Sequence, residues 1–295
     1  MKFHTLIDQA AMLAPRAGYN PTALSGLRIL RSEAVLEDVP VLYRPGAVFV
    51  LQGAKQGFLD GNVYRYDADH YLAVSVPVPF RMASQADPEK PLLALYLEFE
   101  LQLAAEIAVA LEAVGEPMPA QARSLVSSPL EPRMRELLGR VLATLSDPQE
   151  CAILGAGLLR ELHYRVLVGP QGSALRAALR QRGPAGRIVE SLGRIRESFM
   201  AGLSVPDLAA GAGMSVPSYH AHFKQLTGTS PVQYIKAMRL HEARLKIARN
   251  HGSIAGIAIE VGYQSASQFS RDFRRYFGRS AKEEARWMRD HLGET

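Results

Sequence analysis

Two stretches in the last third of this 295-residue chain repeat one another about fifty residues apart. The first reads Leu208-Ala209-Ala210-Gly211-Ala212-Gly213-Met214-Ser215 and runs on to Phe223-Lys224 and Gly228. The second reads Ile257-Ala258-Ile259-Glu260-Val261-Gly262-Tyr263-Gln264 and runs on to Phe273-Arg274 and Gly278. Gly213 and Gly262 lie 49 residues apart, whereas Phe223 and Phe273, like Gly228 and Gly278, lie 50 apart. One register therefore spans both, with a single-residue slip just after the first glycine. Each stretch is a short apolar helix, a glycine turn and a polar helix closed by glycine, which is the sequence form of a helix-turn-helix. Tandem copies predict an all-α C-terminal unit that meets double-stranded DNA at two places.

The charge distribution agrees. Residues 191–295 hold 15 Lys/Arg against 9 Asp/Glu, leaving 19 against 20 for the rest of the chain. The whole positive excess sits on the segment with the repeats. A polyanion is the expected partner, because neutralised phosphates release counterions; a merely solvated basic face is the alternative. An apolar fraction of 47% fits a globular chain. No stretch approaches the ~18 uncharged apolar residues of a membrane span, and Asp8 interrupts the N-terminal segment before a secretory signal can build. The single cysteine, Cys151, excludes an internal disulfide and fits a reducing compartment. The expectation is a cytoplasmic protein with no membrane partner.

Hydrophobic periodicity divides the chain further. A short helix leads over residues 1–19. From about 20 to 100, runs such as Val39–Tyr43, Ala47–Gln52, Tyr71–Val78 and Leu92–Phe99 are punctuated by Pro45-Gly46, Gly53, Asp60-Gly61-Asn62 and Asp87-Pro88. They predict an antiparallel barrel or sandwich with a hairpin at 60–62. Helical spacing follows over about 101–180, including 131–146, 150–168 and a short helix at 173–179. The Gly/Pro stretch 182–186 marks a domain boundary. Beyond it lie a helix at 187–201, motif one (about 204–228), a linker helix (about 231–250) and motif two (about 253–278). Residues 1–182 are thus expected to form an effector-binding and dimerisation domain, and 187–295 a DNA-binding domain. The fold class is α+β multidomain.

In each motif the second helix is expected to read the major groove. Motif one, with Tyr219, Phe223 and Leu226 turned inward, offers Pro217, Ser218, His220, Ala221 and Lys224. Motif two, with Phe269, Phe273, Tyr276 and Phe277 as core, offers Ala266, Ser267, Gln268, Ser270 and Arg271, with Arg274 and Arg275 toward phosphates. Arg271 suits a bidentate contact to guanine and Gln268 one to adenine, so motif two should specify the site and motif one add a softer contact. A linker of roughly 19 residues spans about 28 Å, against about 34 Å between successive major grooves on one DNA face.

The same region resembles the AraC/XylS family of bacterial transcription regulators, through Leu208-Ala209…Gly213-Met214-Ser215…Phe223-Lys224-Gln225-Leu226-Thr227-Gly228-Thr229-Ser230-Pro231 and Val261-Gly262-Tyr263…Ser267-Gln268-Phe269-Ser270-Arg271-Asp272-Phe273-Arg274-Arg275-Tyr276-Phe277-Gly278. The resemblance implies operator binding by both motifs and activation through contact with RNA polymerase. This chain departs from the family after Gly278, where Arg279-Ser280-Ala281-Lys282 lacks the usual proline, and at Ala221, where many members carry a longer polar side chain. Residues 20–170 are similar to the N-terminal domain of a subgroup of these regulators, through Tyr64-Arg65-Tyr66-Asp67-Ala68-Asp69-His70-Tyr71 and Arg160-Glu161-Leu162-His163-Tyr164-Arg165. That likeness implies a cupin-like β-barrel with dimerising helices, a homodimer and a small-molecule effector.

Tyr64, Tyr66, His70, Tyr96 and Glu98 are the candidate ligand-binding residues of the barrel, with an outward polar face as the other reading. The only histidines of this half, His4, His70 and His163, are far apart, and no His-x-His occurs. A metal site, a cofactor and an enzymatic role are therefore not expected. Cys151 sits in an apolar run and reads as structural rather than redox-active. Two alternatives stay open: a constitutive DNA binder whose barrel only dimerises, and a cupin-type enzyme with a DNA-binding appendage.

Overall fold

A computed structural model describes residues 5–87, 89–115, 124–169, 172, 176, 183–200 and 202–292. The expected helix over 173–179 falls almost entirely outside them. The N-terminal half is a curled antiparallel half-barrel. Its strands are β1 (Gly18–Pro21), β2 (Leu27–Ser32), β3 (Leu36–Tyr43), β4 (Gly46–Gln52), β5 (Ala54–Leu59), β6 (Asn62–Asp67), β7 (His70–Val74), β8 (Val78–Gln85), β9 (Leu92–Glu98) and β10 (Leu125–Pro129). They run in the order β1-β2-β9-β4-β7-β6-β5-β8-β3, with β10 paired to β7.

Burial explains the pattern. Strands β4 and β9 are buried along nearly their whole length because both faces of the sheet are covered. Ala47, Phe49 and Leu51 of β4, with Leu93, Leu95 and Leu97 of β9, pack under α1 (Leu6–Leu13), α2 (Leu101–Ala113), α3 (Pro132–Leu145) and α4 (Pro148–Val168). The alternate residues Val48, Val50, Leu92, Ala94 and Tyr96 face the other way, into a second core shared with C-terminal helices. Gly46 lets β4 lie this close to β9, since a Cβ there would stand 2.0 Å from the Leu97 carbonyl oxygen. The hairpin turn at Asp60-Gly61 joins β5 to β6, with both residues at positive φ.

Three expectations need correction. The run Tyr71–Val78 is two strands, because Pro77 lacks a donor for the ladder and the chain turns at Ser75–Pro77. Strand β10 lies outside the predicted barrel segment, a five-residue return from the helical region to the sheet. The helix expected over 187–201 begins earlier, at Gly183, as α5 (Gly183–Ser198), with Pro184 in its first turn, where a proline is tolerated.

The C-terminal half is all helical. Motif one comprises α6 (Val205–Gly211) and α7 (Val216–Thr227), and motif two comprises α9 (Ile254–Glu260) and α10 (Ala266–Phe277). Helix α8 (Pro231–Ala248) joins them, and α11 (Ala281–Leu292) packs back on α8. The missing proline after Gly278 is replaced by a capping box: Ser280 Oγ accepts from the Glu283 N–H at 3.4 Å, and Glu283 Oε2 accepts from the Ser280 N–H at 2.8 Å. Among the described residues no helix is long and apolar enough to cross a membrane.

The two motifs differ in what they rest on. Leu208, Ala209, Tyr219, Phe223 and Leu226 of motif one, with Tyr234, Ile235 and Met238 of α8, are continuous with the inner core of the barrel. Ile257, Ala258, Val261, Phe269, Phe273 and Phe277 of motif two form a separate core with Leu240, Ala243 and Ile247 at the other end of α8.

Candidate nucleic-acid interface and effector cavity

The repeat in the sequence is a repeat in geometry. Each reading helix starts at a serine cap: Ser215 accepts from the Ser218 N–H and Ser265 from the Gln268 N–H. Each support helix ends alike, with Gly213 and Gly262 at positive φ. The Met214 N–H reaches back to the Ala209 carbonyl at 3.0 Å and the Tyr263 N–H to the Ala258 carbonyl at 2.9 Å. Each reading helix closes on a left-handed glycine, Gly228 or Gly278. Tyr219, Phe223 and Leu226 are buried as expected, as are Phe269, Phe273 and Phe277. Tyr276 is only half-buried, its hydroxyl 3.2 Å from His241 Nε2.

The outward face of α10 is open. Ser267, Gln268, Ser270, Arg271, Arg274 and Arg275 are exposed and Ala266 half-buried. Ser270 turns its hydroxyl back to the Ala266 carbonyl at 2.9 Å. Arg275 is held by Asp272 at 2.9 Å, whereas no salt bridge engages Arg271 among the described residues. Asp272 is a buried acid that sequence reasoning missed. It also pairs with Lys236 of α8 at 2.7 Å and so fastens the reading helix to the linker. Its i,i+3 spacing to Arg275 is visible in the sequence; its partner 36 positions upstream is not.

The corresponding face of α7 is not open in the same way. Pro217, Ala221 and Lys224 are exposed and Ser218 and His220 half-buried. However, His220, Ala221 and Lys224 form one wall of a cleft of about 610 Å³ whose other wall is the β5–β6 hairpin, with Leu59, Asp60, Asn62 and Tyr64. Lys224 Nζ lies 3.9 Å from Asp60 Oδ1. Leu59 approaches Gly228 so closely that a Cβ there would stand 2.8 Å from it.

A second cavity, of about 630 Å³, lies between the inner face of the half-barrel and helices α5, α8 and α11. Glu98 lines it, paired with Arg44 at 2.9 Å and Arg28 at 3.8 Å. Lys55 of β5 also lines it, 2% exposed, its Nζ donating to the Tyr96 hydroxyl at 3.0 Å; that hydroxyl lies 3.0 Å from the one of Tyr43. Tyr66 is fully buried on the same inner side of the sheet. Burial pushes the hydroxyls of Tyr43, Tyr66 and Tyr96 well above their usual range. It lowers the Lys55 ammonium to about 7. Two of the five expected ligand residues lie elsewhere. Tyr64 faces the hairpin cleft, and His70 is exposed at the start of β7, its Nδ1 3.1 Å from Asp67 Oδ1. Tyr64 shares the face of Tyr66 but lies nearer the tip of the hairpin, and the turn after Asp67 takes His70 outside the sheet. Lys55 was missed. A lone lysine in Ala54-Lys55-Gln56-Gly57 signals inward placement only once the register with β8 is known.

Arg244 of α8 also reaches this cavity and binds the halves together. It pairs with buried Glu284 of α11 at 2.6 Å and donates to the Pro40 carbonyl of β3 at 3.2 Å. Tyr234 donates to the Pro77 carbonyl at 2.7 Å, and Arg81 of β8 to the Tyr276 carbonyl at 3.3 Å.

Comparison with known proteins agrees with this division. The family model for the AraC-type transcriptional regulator N-terminus matches residues 23–174, just over half of the chain, and a helix-turn-helix domain model matches 208–286. The raffinose operon transcriptional regulatory protein RafR of Pediococcus pentosaceus is 30% identical over 86 residues, 29% of this chain and 31% of that protein. The virulence regulon transcriptional activator VirF of Yersinia enterocolitica is 26% identical over 151 residues, 50% of this chain and 55% of that one. The chain thus spans between about a third and just over half the length of these relatives. Among solved structures, ToxT of Vibrio cholerae with an unsaturated fatty acid bound superposes with a TM-score of 0.60 at 12% identity, covering 92% of this chain and 97% of ToxT. ToxT of strain O395 gives 0.58 at 10%, covering 88% and 97%. At these identities the likeness is one of fold.

The buried lysine makes a prediction. Its folded pKa lies near 7 and its unfolded pKa near 10.5. Between those values the unfolded chain binds more protons, so stability rises with pH there; below 7 both states are charged and the full cost of burial is felt. Relative to Lys55→Met, the wild type should gain roughly 2 kcal/mol between pH 7 and 9. Parallel denaturation curves for the two proteins across that interval would contradict the assignment.

Proposed function

The chain belongs to the AraC-type family of transcriptional regulators, and on that premise we propose how it reads DNA and what controls it. Helix α10 is the specifying element, with Arg271 and Gln268 toward base edges and Arg274 and Arg275 toward phosphates. Helix α7 supplies a second, softer contact through Pro217, Ser218, His220, Ala221 and Lys224. The observation that carries this reading is the open basic face of α10 on a motif with its own core. The role is activation through RNA polymerase; that VirF is a transcriptional activator, as its name says of that protein, supports the activating sense. Arg271→Ala should cost ~1–3 kcal/mol on the cognate site and relax one base position. Footprinting upstream of candidate promoters, followed by titration of wild type and variant on matched and scrambled sites, tests this. An equal loss on every sequence would remove Arg271 from the reading face.

The cavity beneath the half-barrel is the effector site, and the β5–β6 hairpin is the element through which the barrel restrains motif one. The fatty acid in ToxT supports a ligand-responsive plan on the same fold. The support from this chain is the core that motif one shares with the barrel, together with the contact of Leu59 on Gly228. Replacing Leu59 and Asp60 with glycine and serine should extend the footprint over the motif-one half of the site without effector and leave the motif-two half unchanged. An unaltered footprint would refute the restraint.

A homodimer is formed through α4. Its exposed side carries Ile153, Leu154 and Tyr164, three apolar side chains that would otherwise face water. Sedimentation at micromolar concentration should show a dimer for the wild type and a monomer for Ile153→Asp. A monomeric wild type would end this assignment.

A further inference from the structure

We propose that the cavity takes an amphiphile carrying a single carboxylate on a largely apolar body, and that Lys55 receives the carboxylate. This rests on the reading of that cavity as the effector site and adds the chemical class of the occupant.

An ammonium taken out of water carries a penalty of several kcal/mol unless an anion meets it. Lys55 is 2% exposed, and no salt bridge engages it among the described residues. Its one hydrogen bond goes to a neutral phenol, Tyr96, at 3.0 Å. An ammonium has three donors and no acceptor, so two remain for a ligand. Burial has already drawn its pKa down to about 7, the response of an amine that lacks a counter-charge. A methionine or leucine would fill the same space at no such cost, so the amine is explained by a partner that arrives from outside.

The walls cannot supply that partner. Glu98 is held by Arg44 and Arg28. Glu242, half-buried on α8, lies in the field of Lys246. Arg196 and Arg244 add positive charge to the lining, and Arg244 is matched by Glu284 from outside the cavity. His241 adds no charge at neutral pH, since burial and Arg244 lower it to about 3. The cavity thus has more cations than anions on its wall; of those without a salt bridge among the described residues, Arg196 is exposed and Lys55 is buried. Its remaining lining is largely apolar, with Leu30, Val39, Val41, Met82, Leu92 and Phe199 beside Ser32 and Ser84. A volume of about 630 Å³ is that of a site for a drug-sized ligand, far more than a bare carboxylate fills. The paired hydroxyls of Tyr43 and Tyr96, 3.0 Å apart, offer a further donor beside the lysine. A neutral headgroup would leave Lys55 unmatched, and a cationic one would be repelled.

The test uses the purified full-length protein and calorimetric titration with decanoate and hexadecanoate, each against the alcohol of the same length, below their critical micelle concentrations. The neutral dye Nile red serves as an independent reporter of cavity occupancy. One acid should bind roughly thirtyfold or more tighter than its alcohol, the loss expected when one partner of a buried charge pair is absent. Lys55→Met should remove that preference while leaving the alcohol within about threefold and the DNA-binding of the unliganded protein intact; Lys55→Arg should retain part of it. Equal binding of acid and alcohol, or unchanged acid affinity in Lys55→Met with Nile red still displaced, overturns the carboxylate assignment and spares the cavity. If neither acid, nor alcohol, nor Nile red binds the wild type, the effector-site reading itself fails and this proposal with it.

Discussion

Every spatial relation in this molecule is referred to helix α8. Tyr234, Ile235 and Met238 at its first half belong to the core that motif one shares with the barrel. Leu240, Ala243 and Ile247 at its second half belong to the core of motif two. Between them, Arg239 donates to the Phe199 carbonyl at 2.7 Å and to the Gly262 carbonyl at 3.1 Å, tying the end of α5 to the turn of motif two. Gly262 could not be anything larger, because a Cβ there would lie 2.6 Å from the Met200 carbonyl. Arg244 then binds the same helix to α11 and β3 through a side chain that is 7% exposed against a glutamate at 2%. Removing one member of so buried a pair costs about 3–5 kcal/mol. The helix is therefore clamped from three directions as well as packed.

From this follows the asymmetry between two motifs that are near copies in sequence. Motif one cannot move without disturbing the apolar contacts under Val76, Val78 and Phe80. Motif two touches the barrel through the polar contact of Arg81 with the Tyr276 carbonyl, and the half of α8 beneath it through that of Arg244 with the Pro40 carbonyl. Apolar burial of this kind is cooperative and hard to open in part, whereas exchangeable hydrogen bonds are individually worth about 1 kcal/mol.

The helical half was legible because its signals are local. Serine caps, glycine turns and the spacing of Phe269, Phe273 and Phe277 lie within a few residues of the structure they specify. The barrel was legible as a class, because short apolar runs bounded by Gly and Pro have few other uses. Its inner face was not. Which side of β5 points inward depends on pairing with β8, some 25 residues away, and a one-residue slip would send Lys55 outward and Gln56 inward. The same holds for Tyr64 and Tyr66, two residues apart on β6 and thus nominally on one face. Tyr64, nearer the hairpin tip, meets the cleft at the margin of the core in which Tyr66 is buried. The five residues of β10 were missed because their partner, β7, lies about fifty residues upstream.

The separate core of motif two has a consequence for dosage. A motif that is complete without the barrel can hold its half of a site while the other motif is still engaged with the hairpin. From that moment the second contact is intramolecular, and its effective concentration is set by how well the rigid length of α8 matches the span between the two half-sites. Under the proposed restraint by the hairpin, release of motif one is then a first-order event on the operator. Its extent depends on the balance within one molecule, and additional copies of the protein raise occupancy without raising the fraction that is switched.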